Sequence, residues 1–195
     1  MPYPRRIDAP GEMYHLNTKA VSGCTVFRND HDRAIFLELL AAEIARSEWT
    51  CLAYTVMGTH YHLLLRLNEP TLSTGFQRLN GLYARIFNAR TKRRGAVWQR
   101  RFHDTLIESD AHLLETTRYI AWNASRANLA DRPEDWPWSS YGATIGRFPP
   151  DPLIDERAIL ELFSDDLAVA RERYRRFVEE RDPRVRRSLI RLRDR

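Results

Sequence analysis

Two apolar runs, Trp49 to Met57 and His60 to Leu67, are separated only by Gly58-Thr59. A two-residue, glycine-containing break between strand-like runs specifies an antiparallel hairpin. That hairpin limits what the flanking chain can do. Upstream, Met13 to Val21 alternates in part, with Tyr14, Leu16, Thr18 and Ala20 set against His15, Asn17, Lys19 and Val21, and suits a strand. Between them, Asn29 or Asp30 can cap a helix running to about Ser47, whose Ile35, Phe36, Leu39, Leu40 and Ile44 follow helical spacing. Downstream, a helix over about Leu72 to Thr91 carries Phe76, Leu79, Leu82, Tyr83, Ile86 and Phe87 as its apolar stripe. Phe102 to Ile107 reads as a fourth strand, and Ser109 or Asp110 can cap a third helix from about Ala111 to Ala127. The order strand, helix, strand, strand, helix, strand, helix predicts an α+β fold. Its economical form is a ferredoxin-like four-stranded antiparallel sheet with helices on one face.

The chain after the third helix closes the domain and then adds an appendage. Asp131 to Tyr141 is turn-rich and contains Trp136, Pro137 and Trp138, and Pro149, Pro150 and Pro152 mark a linker. Two short helices, about Asp155 to Phe163 and Asp166 to Arg181, are expected beyond it. We therefore divide the chain into a domain at residues 1–148 and a helical, arginine-rich extension at residues 149–195. A length of 195 residues accommodates one sizeable domain with such an addition. The two cysteines, Cys24 and Cys51, lie among apolar residues and read as small core side chains, not a disulfide framework or zinc knuckle. No signal peptide and no long uncharged apolar stretch is present in the sequence, which predicts a cytoplasmic protein without a membrane span.

Charge is segregated along the chain. From Pro70 to His103 there are Arg78, Arg85, Arg90, Lys92, Arg93, Arg94, Arg100 and Arg101, and no Asp or Glu. Tyr83, Phe87 and Trp98 are interleaved with them. A single-stranded nucleic-acid groove needs cations for phosphates and rings for bases. A solvated basic helix end would carry the same composition, and core packing is an alternative for the rings, Phe87 above all. Arg171 to Arg195 has eleven arginines against five acids and reads as a helix leading into a basic tail.

His60-Tyr61-His62 is the first feature that points to chemistry. Residues two apart on a strand share a face, so both imidazoles project together while Tyr61 joins Leu63, Leu65 and Leu67 on the core side. Two convergent imidazoles on an open sheet face form a platform for a divalent metal; surface histidines without a ligand are the alternative. The second feature is Tyr119 with Asn123, four apart and hence on one face of the third helix. If that helix packs beside the histidine strand, Asn123 can offer an oxygen ligand and Tyr119 can point at the metal. A tyrosine beside Ile120 and Trp122 also suits a core or interface position. His15, His31, His103 and His112 have no matching role and read as surface or hydrogen-bonded core residues. Trp136, Trp138 and Tyr141 read as packing for the domain's closing turn.

Taken jointly, these motifs resemble the HUH nucleases, specifically the single-tyrosine transposases of the insertion-sequence and REP-associated type. Met57-Gly-Thr-His60-Tyr-His62-Leu-Leu-Leu resembles the family's hairpin motif, and Trp98-Gln99-Arg100-Arg101-Phe102 its entry to the fourth strand. Arg118-Tyr119-Ile120-Ala121-Trp122-Asn123 resembles its tyrosine helix. Arg126-Ala127-Asn128-Leu129 and Pro133 to Tyr141 resemble the segment that closes its domain. The resemblance runs from about Met13 to Tyr141 in order and spacing. The family usually continues Asn-Pro and later Ala-Gly, where Ala124 and Asn128 stand here, and commonly has Pro-Asn at Gly58-Thr59.

The resemblance implies that residues 1–148 are a catalytic domain. It implies His60, His62 and Asn123 as ligands of a divalent metal, Mg²⁺ or Mn²⁺, and Tyr119 as nucleophile. Zinc is compatible with the same ligand types. Attack by Tyr119 would give a 5′-phosphotyrosine and a free 3′-hydroxyl, so rejoining would need no ATP, and the sequence has no phosphate-binding loop motif. A phenol has a pKa of about 10 and is activated by a neighbouring cation. The expected partner is single-stranded or hairpin DNA, tracked by the basic segment from Arg78 to Arg101. Arg5 and Arg6 would touch bases beside the hairpin, and the protein would act as monomer or homodimer. A domesticated, non-cleaving hairpin binder is the alternative. A third reading, an RNA-binding ferredoxin-like domain, would present aromatic residues where His60 and His62 stand.

Overall fold

A computed structural model describes residues 9–180. Its elements follow in the expected order: β1 (Met13–Lys19), α1 (Asp30–Ser47), β2 (Trp49–Val56), β3 (His60–Leu67), α2 (Leu72–Thr91), β4 (His103–Leu106) and α3 (Asp110–Arg126). A 3₁₀ turn at Pro133–Asp135 and three helices, α4 (Tyr141–Thr144), α5 (Arg157–Leu160) and α6 (Leu167–Glu179), complete it. The four strands form one antiparallel sheet in the order β2-β3-β1-β4, the ferredoxin-like arrangement. Caps mark the helix starts. Asn29 accepts from the Asp32 N–H at 3.0 Å, and Ser109 from the His112 N–H at 3.2 Å. Gly58-Thr59 turns β2 into β3, and the Gly58 carbonyl also accepts from Val26 and Phe27 N–H.

One face of the sheet meets α1 and α2. Tyr61, Leu63, Leu65 and Leu67 project into this core with Phe27, Phe36, Leu40, Phe76, Tyr83 and Phe87. The close approach of α2 explains Gly75: a Cβ there would lie 2.3 Å from the Trp49 ring. The expected single layer of helices is corrected here, because α3 covers the other face. Leu52, Ala53 and Leu64 are buried on that side against Leu113, Ile120 and Ala121 of α3. β2 and β3 are apolar on both faces over much of their length and need cover twice.

The chain after Pro149 folds back on this second layer. Asp151 accepts from the Tyr54 hydroxyl at 2.7 Å, and the Asp155 N–H donates to the Cys51 carbonyl at 2.8 Å, so the proline-rich stretch is tied to β2. Ala170, Tyr174 and Val178 of α6 share the α3 core. Trp122 Nε1 donates to the Val178 carbonyl at 2.7 Å, and the Arg118 guanidinium lies 3.7 Å from the Phe177 ring centre. α3 is therefore clamped between the sheet and α6. Both cysteines are free; Cys51 is buried and Cys24 only half-buried. Among the described residues, no helix is long and apolar enough to cross a membrane.

Candidate active site

Strand alternation puts His60 and His62 on the face that α3 covers, opposite Tyr61. In the sheet, Lys19 of β1 stands opposite His60, and Asn17 opposite His62. α3 reaches this end of the sheet with Tyr119. The Tyr119 ring meets the His62 ring edge-on at a centroid distance of 5.4 Å and remains 40% exposed. His60 and His62 are also edge-to-face, 5.2 Å apart. All three rings belong to one chain, so a single copy brings them together. Asn123, one turn beyond Tyr119, is 8% exposed, and its Nδ2 donates to the Tyr119 carbonyl at 2.8 Å. Its amide oxygen is then the atom left for a cation. The Arg126 guanidinium sits 5.3 Å from the Tyr119 ring centre, placing positive charge beside the phenol.

His15 completes the cluster, and the sequence reading gave it no role. Its Nε2 is 2.9 Å from His62 Nδ1, the two rings stack at 5.1 Å, and its edge contact with Tyr119 is 5.7 Å. The signal was present in β1, where His15 and Asn17 alternate with the buried Tyr14, Leu16 and Thr18. What was missing was the pairing of β1 beside β3.

Burial sets the protonation of these rings. His62 is 5% exposed; its pKa is lowered to about 2, first by desolvation and then by His15 and His60. Desolvation lowers His15 to about 4, with His103 and His112 adding to it, and lowers His60 as well. Neutral imidazoles are the form that ligates metals. His60 Nδ1 is 3.1 Å from the Thr59 hydroxyl, and His62 Nδ1 is occupied by His15, so Nε2 is the nitrogen each ring has left to offer. That donor set, two imidazoles and an amide oxygen, suits a divalent cation. Among the described residues, no three His, Cys, Asp or Glu side chains gather into a ligand cluster.

The basic stretch is divided in space. Arg78 pairs with Glu43 of α1 at 2.6 Å, and Arg90 with Asp32 of α1 at 2.7 Å. Those two charges are balanced by acids that lie outside the acid-free segment. Arg85, Lys92, Arg94, Arg100 and Arg101 are exposed, and Arg93 donates to the Ala96 carbonyl at 3.1 Å. The Gln99 N–H donates to the Lys19 carbonyl, and Lys19 stands opposite His60; Arg100 and Arg101 follow Gln99 in the chain and line a groove with Ser73, Gln77 and Asn80 of α2. Tyr83 and Phe87 are buried in the α1–α2 core, and the Tyr83 hydroxyl donates to the Val26 carbonyl at 2.7 Å; neither is placed to stack a base. Trp98 is half-buried against the same core, its Nε1 bonded to the Asn80 carbonyl. Arg5, Arg6 and the tail beyond Glu180 lie outside the described residues.

Comparison with known proteins places this ferredoxin-like chain in a family. Residues 13–123, more than half of the chain, match the family model for IS200-like transposases. The chain belongs to that family. It is 32% identical over 100 residues to a Haemophilus influenzae protein assigned as a REP-associated tyrosine transposase. That match covers 46% of this chain and 57% of the relative, so it spans little more than half of the relative's length. Among solved structures, a REP-associated tyrosine transposase bound to a REP hairpin shares the fold, with a TM-score of 0.64 at 15% identity. The likeness covers 80% of this chain and 94% of that one.

Proposed function

We propose that this chain cuts and rejoins single strands of DNA through a 5′-phosphotyrosine at Tyr119, acting on hairpin-containing DNA. The observation that carries the reading is the Tyr119 ring, partly open to solvent, packed against the buried His62 at the end of the sheet. The Tyr119 oxygen would form the new bond to phosphorus as the bond from phosphorus to the 3′-oxygen breaks. The phenolic proton leaves, and the 3′-oxygen takes up a proton. Reversal on another 3′-hydroxyl rejoins the strand without an external energy source. Arg126 beside the ring places a positive charge that would draw the scissile phosphate toward the phenol. His60 and His62 through Nε2, and Asn123 through its amide oxygen, would hold Mg²⁺ or Mn²⁺. When bound, that ion supplies charge neutralisation on the phosphate oxygens. Arg100 and Arg101, together with Arg85, Lys92, Arg93 and Arg94, would follow the DNA backbone. The binding of a REP hairpin by the structural relative supports hairpin DNA as the substrate class. Tyr119 packs on His62 of its own chain, which supports action as a monomer, with a homodimer as the other reading, and the cytoplasm is the setting where such DNA is met.

The test mixes purified protein with a pool of end-labelled, hairpin-containing single-stranded DNAs in Mn²⁺ or EDTA and resolves the products on denaturing gels. The expected result is a metal-dependent, SDS-resistant adduct that Tyr119→Phe abolishes while hairpin affinity is retained. An adduct that persists in Tyr119→Phe removes Tyr119 as nucleophile. Tight hairpin binding with no adduct in any metal replaces the enzyme by a non-cleaving binder.

A further inference from the structure

The cluster around Tyr119 contains one imidazole that the reaction above does not use. His15 sits on β1 between Leu64 of β3 and Thr105 of β4. Its Nε2 is 2.9 Å from His62 Nδ1, and its ring stacks on that of His62 with 24° between planes. Burial disfavours charge on either ring, and a hydrogen bond between two neutral imidazoles has one donor and one acceptor. Two arrangements satisfy that bond. If His15 Nε2 carries the hydrogen, His62 accepts at Nδ1 and must hold its own proton at Nε2, which closes that nitrogen to a cation. If His62 Nδ1 carries the hydrogen, His62 Nε2 keeps its lone pair and His15 holds its proton at Nδ1. Only the second makes His62 a ligand.

The geometry points to His15 as the positioning residue for His62: it accepts the His62 Nδ1–H, orients the ring, and keeps Nε2 open toward a divalent cation. The inference rests on the metal-dependent reading of the site. Partners of this kind fix the tautomer and raise the basicity of a ligating histidine. His60 has a less exclusive partner, since the Thr59 hydroxyl at 3.1 Å can donate or accept. His15 also meets the Tyr119 ring at 5.7 Å, so it sets the spacing between ligand and phenol.

Two measurements on the full chain test this. Long-range ¹H–¹⁵N NMR of the metal-free protein at pH 7.5 is expected to find His62 as the Nδ1–H tautomer; an Nε2–H tautomer would overturn the inference without any metal present. Mn²⁺ titration, read by the EPR signal of the free ion, then compares the wild type with His15→Gln and His15→Leu. Glutamine keeps a carbonyl acceptor near the Nε2 position and is expected to hold Mn²⁺ affinity to within about threefold. Leucine keeps bulk but no acceptor and is expected to weaken it by roughly 10- to 100-fold. Wild-type affinity in a folded His15→Leu protein overturns the inference alone. Absence of Mn²⁺ binding in the wild type overturns the metal reading and this inference with it. If His15→Leu does not fold, the wild-type tautomer decides.

Discussion

Tyr61 and His62 are neighbours in sequence and sit in two different environments. Tyr61 lies in an aromatic core with Phe27, Phe36, Tyr83 and Trp98, and its hydroxyl is satisfied by Asn80 Oδ1 at 2.7 Å. His62 is nearly as buried, but its neighbours are His15, His60 and Tyr119, and one edge of that cluster is open at the tyrosine. One strand thus supplies core packing on one side and the candidate site on the other. The alternation of β3 lets the aromatic core hold the backbone rigid while the imidazoles point to the opposite face. The α3 face is itself divided: Leu52 and Leu64 pack against the helix, whereas at the histidine end Tyr119 stays partly exposed.

The sharpest way to break this comparison is to exchange the effects of substitutions on the two faces. His60→Gln combined with His62→Gln should drive adduct formation below detection while thermal stability changes little, because each replacement is polar and of similar bulk. A loss of folding in this pair, seen by circular dichroism, would make the histidines structural. Phe36→Ala, in the aromatic core, should cost about 3–5 kcal/mol of stability in urea unfolding. Its adduct yield per folded molecule should stay near wild type.

A pH series sharpens the same contrast. His15 and His62 are held neutral in the fold, with pKa values of about 4 and about 2, whereas the unfolded chain protonates them near pH 6.5. The folded values are depressed, so the stability tied to these neutral rings is complete above about pH 6.5. It is lost progressively as pH falls toward 4 for His15 and toward 2 for His62. Thermal melts in EDTA should show that decline. It should be shallower in His15→Gln/His62→Gln, and an equal slope in both proteins would contradict the burial of neutral imidazoles. The smallest effects concern the basic segment. Arg85→Ala and Arg100→Ala should each weaken DNA binding and reduce the slope of log K against log salt by about one. Arg78→Ala should act mainly on stability through its lost pairing with Glu43. A salt slope changed equally by Arg78→Ala would mean that the Glu43 pair opens on DNA.

Asn128 shows how a departure from a family pattern can leave structure intact. It stands where the family has glycine and adopts a φ of 56°, a left-handed conformation that asparagine tolerates better than most residues. The turn after α3 therefore survives the change, and the Leu129 N–H still reaches the Ala124 carbonyl.

The sequence alone determined the order and type of the elements through β4 and α3, because each is marked by local signals: alternation in β1, Gly58-Thr59 between two apolar runs, caps at Asn29 and Ser109. It also determined which side of β3 carries His60 and His62, since a strand's period of two needs no partner to be read. Three things were settled only in the folded molecule. The pairing of β1 beside β3 brings His15, 47 positions away, onto His62. The path of α1 sets Asp32 and Glu43 against Arg90 and Arg78, so a segment without acids in sequence is partly neutralised in space. The packing of α3 on the second face, backed by α6, carries Tyr119 to the histidines. The physical reason is common to all three: local periodicity fixes the direction of a side chain, whereas its neighbours across the sheet depend on which buried surfaces the whole chain can cover together.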